Sequence, residues 1–111
     1  MKSEIKEGIL IIFPHGNLLN EQNNTSVMNL IKKSIESRTT KVLFNLREIN
    51  FMNSSGLSLL LCALPKIRNA GGELALCSVP EQTKRLLQKT KLESIFGIYK
   101  EEEHAIAALK N

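Results

Sequence analysis

Two hydroxyls and a glycine stand side by side at Ser54, Ser55 and Gly56, between a short apolar run and a longer one. A serine placed where a strand gives way to a helix can accept hydrogen bonds from backbone N–H groups of the first turn. Such a cap contributes roughly 0.5–2 kcal/mol. The free N–H groups and the dipole of a helix N-terminus also favour an anion. A hydroxyl at that place can therefore carry a phosphate without opposing the fold. Taken alone, the residues are accounted for by the cap.

Other chemistry-bearing residues form no set. His15 follows Pro14 in a turn and His104 belongs to the last predicted helix; neither sits in a motif. Serine hydrolysis needs a nucleophile, a base and an orienter, and a Gly-x-Ser-x-Gly elbow is absent from the sequence. No glycine-rich loop followed by lysine offers a phosphate cradle; Gly71–Gly72 reads as a helix stop. The run Glu101–Glu103 complements the dipole of the helix it opens and reads as a solvated face, not a metal site. Cys62 and Cys77 lie in apolar segments without metal-ligand spacing and are expected to be two buried free thiols in a reducing cytoplasm. The chain holds no aspartate; all 11 acidic residues are glutamate. The expectation is a protein that is not an enzyme and uses no metal or cofactor.

The elements that position the serines follow from periodicity. With 111 residues, 42% hydrophobic and 23% charged, residues 1–111 suit one domain with an aliphatic core. The net charge of +4 comes from scattered lysines and arginines, not the clustered stripe of a nucleic-acid face. Aromatics make up 5% and give no platform for stacking bases. No apolar segment approaches the ~18 residues needed to cross a membrane, and the run Ile9–Phe13 is too short for a signal peptide. Residues 3–7, ILIIFPH after Gly8, KVLFNL at 41–46, ELALCSV at 73–79 and residues 95–99 read as strands. Helices are predicted from Glu21 to near Arg38, across LSLLLCALPKIRNA with a kink or break at Pro65, after Pro80, and from Glu101. Ser78-Val79-Pro80-Glu81 has the spacing of a capping box. Strands alternating with helices make an α/β fold: a mixed, largely parallel central sheet of four to five strands with about four helices.

From Lys41 to Val79 the sequence resembles the STAS domain family, specifically bacterial anti-sigma factor antagonists. In that family a strand ends in Asp-Leu, a short connection follows, and an Asp-Ser-Ser-Gly or Asp-Ser-Thr-Gly turn opens a helix that closes on Gly-Gly. Here Asn45-Leu46, Asn53-Ser54-Ser55-Gly56-Leu57 and Gly71–Gly72 hold those places. Gly16-Asn17-Leu18 is similar to the family's Gly-x-Leu-Asp element. The likeness covers nearly the whole chain in order and spacing.

The resemblance implies a cytoplasmic regulator. The unphosphorylated antagonist captures an anti-sigma factor that is also a serine kinase, which frees a sigma factor. The kinase then phosphorylates the serine after the Asp, and a serine phosphatase resets it. By position the acceptor is Ser54, with Asn53, Ser55 and Gly56 as its neighbours. Leu57, Ser58, Lys84 and Arg85 are implied as partner contacts. No nucleic acid and no membrane insertion are implied. Three family aspartates are replaced, by Leu19, Asn45 and Asn53. Asn keeps the shape of Asp and can still turn the chain, but not the charge. Two other readings stay open: a STAS scaffold or subunit of a transport or sensory complex that is never phosphorylated, and a small anion- or nucleotide-binding module.

Overall fold

The computed structural model describes residues 2–14, 16–17, 21–52 and 54–110. Its main sheet has five strands: β1 (Lys2–Lys6), β2 (Ile9–Phe13), β4 (Lys41–Asn45), β6 (Glu73–Cys77) and β7 (Gly97–Tyr99), side by side in the order β1-β2-β4-β6-β7. β1 runs antiparallel to β2, and the other neighbours are parallel. Among the described residues four α-helices accompany the sheet: α1 (Glu21–Glu36), α2 (Ser54–Asn69), α3 (Glu81–Lys89) and α4 (Glu102–Lys110). The expected mixed, largely parallel sheet and four helices are thus present.

The layers follow from the two-residue period of strand side chains. Leu10, Ile12, Val42, Phe44, Leu74 and Leu76 point to one face and pack with Val27 and Ile31 of α1, Leu60, Ala63 and Ile67 of α2 and Leu87 of α3. Ile9, Ile11, Leu43, Ala75 and Cys77 point to the other, where α4 supplies Ala105, Ile106 and Leu109. Three helices cover one face and α4 covers the other. Strands buried on both faces must be apolar throughout, which is why these runs do not alternate.

Chain reversals are set by local chemistry. Glu7 and Gly8 both take positive φ, 53° and 79°, and close the β1–β2 hairpin with two residues; that geometry matches the twist of the strands. α2 ends where the Gly72 N–H donates to the Ile67 carbonyl at 2.9 Å and the Gly71 N–H to the Arg68 carbonyl at 2.9 Å. Gly71 sits at φ 82° between them, the arrangement that satisfies the last carbonyls of a helix.

Four sequence expectations are corrected. Of the kink or break expected at Pro65, the break does not occur: α2 is one helix from Ser54 to Asn69. Pro65 and Leu61 are both on the exposed side, where the Leu61 carbonyl that lacks a proline N–H can be hydrated. The capping box does not form: Pro80 is the N-cap of α3 and no side chain caps it. Ser78 instead lies in the left-handed region at φ 53°, and its N–H donates to the Lys100 carbonyl. Cys62 is exposed on α2, and only Cys77 is buried. Finally, the stretch 47–50, which the sequence places in neither a strand nor a helix, is more than a connection between the strand at 41–46 and the helix after Gly56. Ile49–Phe51 is a short strand, β5, which pairs in parallel with β3 (Gly16–Asn17) in a second small sheet.

Candidate functional site

The path from β4 to α2 is short and held at several points. At its start the Leu46 N–H donates to the Cys77 carbonyl of β6 at 3.0 Å. Asn45 Oδ1 accepts the Arg47 N–H at 3.1 Å, and the Ile49 N–H donates to the Leu46 carbonyl at 3.1 Å. β5 then lies against β3. At its end the Met52 N–H donates to Gln82 Oε1, in the first turn of α3, at 3.4 Å. The apolar anchors Leu46, Ile49 and Met52 are all buried. Irregular backbone of this kind needs its polar groups paired and its apolar ones covered, and here both are supplied.

Ser54 and Ser55 are the first two residues of α2. Asn53, the residue before them, lies outside the described residues. Gly56 is buried at the third position, and Leu57 is 9% exposed and packs in the core. Leu57 is thus a packing residue and not a surface contact. Ser58 is exposed one turn after Ser54, and Lys84 and Arg85 are exposed on α3. The Gln82 bond sets the start of α3 beside the chain that enters the Ser54 turn, so the elements carrying these residues meet there.

Electrostatics at this end are mild. α2 has no acidic residue in its first turn, so nothing on the helix itself offsets the positive end of its dipole. Lys66 and Arg68 lie in its last turn, at the negative end. Arg85 pairs with Glu81 across 3.6 Å, an exposed pair of small energetic weight. Burial pushes the Cys77 thiol up to about 11, so it is neutral and unreactive at ordinary pH.

Beside the connection, on the α4 side of the sheet, the carboxyl ends of the strands open into a cleft of about 570 Å³. Asn45 reaches it, and its Nδ2 donates to Glu102 Oε1 at 3.1 Å. The expected glutamate run is therefore not only a dipole complement, since Glu102 also holds a strand end. Among the described residues no three His, Cys or Glu side chains are grouped to bind a metal. His104 is exposed, and His15 lies outside the described residues.

The sequence marks Ser54 as a helix start but carries no signal for Gln82 and Glu102, which fix the approach to it. Gln82 is an ordinary exposed helix residue in sequence, and nothing in its neighbourhood marks it. Glu102 was legible only as one of three like charges.

Comparison with known proteins agrees with this geometry. An anti-sigma F factor antagonist of Paenibacillus polymyxa is 29% identical over 110 residues, covering 99% of this chain and 94% of its own. The Thermotoga maritima protein TM1081 superposes with a TM-score of 0.87 at 23% identity, over 99% of this chain and 94% of its own. SpoIIAA, the Bacillus cell fate determinant, solved in its phosphorylated form, superposes with a TM-score of 0.74 at 21% identity, over 96% of each chain. The STAS domain model matches residues 1–105. With the mixed sheet, the serine-bearing helix start and the double-glycine helix end all in place, the chain belongs to the STAS domain family.

Proposed function

We propose that this protein is a partner-switching regulator, an anti-sigma factor antagonist set by the phosphorylation state of Ser54. Unphosphorylated, it binds a cognate anti-sigma factor that is also a serine kinase. Phosphorylation of Ser54 by that kinase releases it, and a serine phosphatase returns it to the binding form. The reading places it in the cytoplasm and gives it no catalysis of its own.

One observation carries the reading. Ser54 opens a 16-residue helix whose first turn has no acidic residue. A phosphate adds roughly −1.5 to −2 charges, and the helix N-terminus favours an anion. The added charge is thus compatible with the fold, and its effect falls on the partner. A partner surface seated on Ser58, Lys84 and Arg85 would have to desolvate the new phosphate, and an unpaired charge at an interface is costly. The antagonist name of the Paenibacillus relative and the phosphorylated form of SpoIIAA support the same assignment.

The test is intact mass and phosphosite mapping of the protein from its own cells, followed by phosphate transfer from the captured partner. A single phosphate on Ser54, constitutive binding by Ser54→Ala and weak binding by Ser54→Glu are expected. Equal partner affinity of the two variants, with no phosphate found under growth or stress, would replace the switch by a fixed scaffold. A rise in melting temperature with nucleotides or organic anions would instead point to a small-ligand module.

A further inference from the structure

Asn45 is a polar side chain left only 4% exposed, at the carboxyl end of the central strand β4. A buried polar group must have its partners or it costs stability. Asn45 has two of opposite kinds: Oδ1 accepts the Arg47 N–H, and Nδ2 donates to Glu102 Oε1, each at 3.1 Å. A planar amide carries an acceptor and a donor on one group, and a carboxylate carries only acceptors.

We infer that Asn45 and Glu102 form a single positioning unit, a latch between the start of α4 and the β4–β5 connection, which fixes how the chain approaches Ser54 and works only as an amide facing a carboxylate. The latch holds the first residues of the connection, as Gln82 holds its last. Its geometry is independent of the phosphorylation reading; only its consequence for partner binding rests on that reading.

The chemistry at this point is constrained on each side. Aspartate in place of Asn45 would still accept the Arg47 N–H. It would lose the donor and set two carboxylates about 3 Å apart, where they share a proton instead of both ionising. The charged groups facing Glu102 are Arg47 from the connection, Lys2 and Lys6 from β1, and Glu101 and Glu103 beside it. The cations are exposed, and solvent screens them. Cys77, behind the pair on β6, is neutral and brings no compensating charge.

The experiment compares wild type, Asn45→Asp, Glu102→Gln and the double variant, as unphosphorylated full chain, by thermal melting at pH 7 and pH 4.5. Amide exchange at Arg47 and Met52 and the amide chemical shifts of Ser54 to Leu57 are read alongside. Asn45→Asp should melt about 5–10 °C below wild type at pH 7. The facing carboxylates of that variant have a folded-state pKa raised above the unfolded value. Stability is therefore retained below the unfolded pKa and lost as pH rises through the raised one, so the deficit should shrink at pH 4.5. In the double variant the side-chain amide introduced by Glu102→Gln can donate to the carboxylate introduced by Asn45→Asp, and at least half the loss should return. Exchange at Met52 should quicken and the Ser54–Leu57 shifts should move in Asn45→Asp, and both should revert in the double variant, while Arg47, whose N–H keeps its acceptor, should stay protected. A pH-independent deficit, or a double variant no better than Asn45→Asp, overturns the latch. Full rescue of melting with no change at Met52 or at Ser54–Leu57 overturns its positioning role. No readout uses a kinase, so failure of the phosphorylation reading is seen separately.

Discussion

Among the glycines Gly8, Gly71, Gly72 and Gly97, replacement of Gly72 by alanine should be the most damaging. A Cβ built there stands 1.8 Å from the Thr40 carbonyl oxygen, 2.6 Å from its carbon and 2.7 Å from the Thr40 Cβ. Real Cβ contacts essentially never fall below 3.0 Å, so backbone must part by about 1.2 Å. The Glu73 N–H donates to that same carbonyl at 3.2 Å, and Lys41 and Glu73 form the first pair between β4 and β6. Separation loses one hydrogen bond, about 1 kcal/mol, and strains a packed junction by about 1–3 kcal/mol. A total near 2–4 kcal/mol corresponds to a fall in Tm of roughly 10–25 °C for a domain of this size. The control is Gly71→Ala, where the added methyl meets open space and only the left-handed backbone at φ 82° objects, at about 1–2 kcal/mol. Urea unfolding followed by circular dichroism measures both. If Gly72→Ala lies within about 0.5 kcal/mol of wild type, or Gly71→Ala is the worse of the two, the close-approach argument is wrong.

Further expectations concern separate parts of the molecule. Ellman's reagent should titrate one thiol in the native protein, Cys62, and two after denaturation, because Cys77 is buried with its pKa raised to about 11; two fast thiols in the native state would contradict this. Leu60→Ala should cost about 2–5 kcal/mol in urea unfolding, since Leu60 is fully buried between α2 and the sheet. Lys110 donates to Glu7 Oε1 at 2.8 Å and holds the Glu7 carboxyl below its ordinary value. Its contribution is present above the unfolded carboxylate pKa and lost as pH falls through the lowered folded one. The melting difference between wild type and Lys110→Ala should therefore be small at pH 7, shrink in high salt and vanish at low pH; a difference that grew on acidification would reverse the sign.

The frame was legible where one physical signal dominated. β2, β4 and β6 are apolar on both faces because both faces are covered, and uninterrupted Ile-, Leu- and Val-rich runs carry that information locally. Gly71–Gly72 marked the end of α2 because only glycine meets both the positive φ and the close approach there. Legibility failed where geometry depends on distant residues. β3 and β5 are two and three residues long, and each exists only because the other lies beside it. The near-continuous apolar run Leu57–Leu64 hides the outward side of α2, on which Cys62 is exposed. Ser78 has capping-box spacing, but its N–H is drawn to Lys100 at the end of the neighbouring strand. At the site, Ser54 could be placed because a strand-to-helix turn is a local event. The Asn45–Glu102 bond joins positions 57 residues apart, and no local pattern announces it.

β1 has a consequence for how copies of this protein share a crowded solution. All five of its residues are exposed, and one side of the strand has no neighbour in the sheet. Ile5 there is 64% exposed. Such an edge invites another chain to add a strand and begin aggregation. The charges oppose it: pairing of two copies antiparallel about Glu4 would set Lys2 against Lys6 on both sides and Glu4 against itself. The register that would best extend the sheet is the one electrostatics penalises most. Neutral residues at Lys2, Glu4 and Lys6, with Ile5 kept, would remove that penalty from the edge.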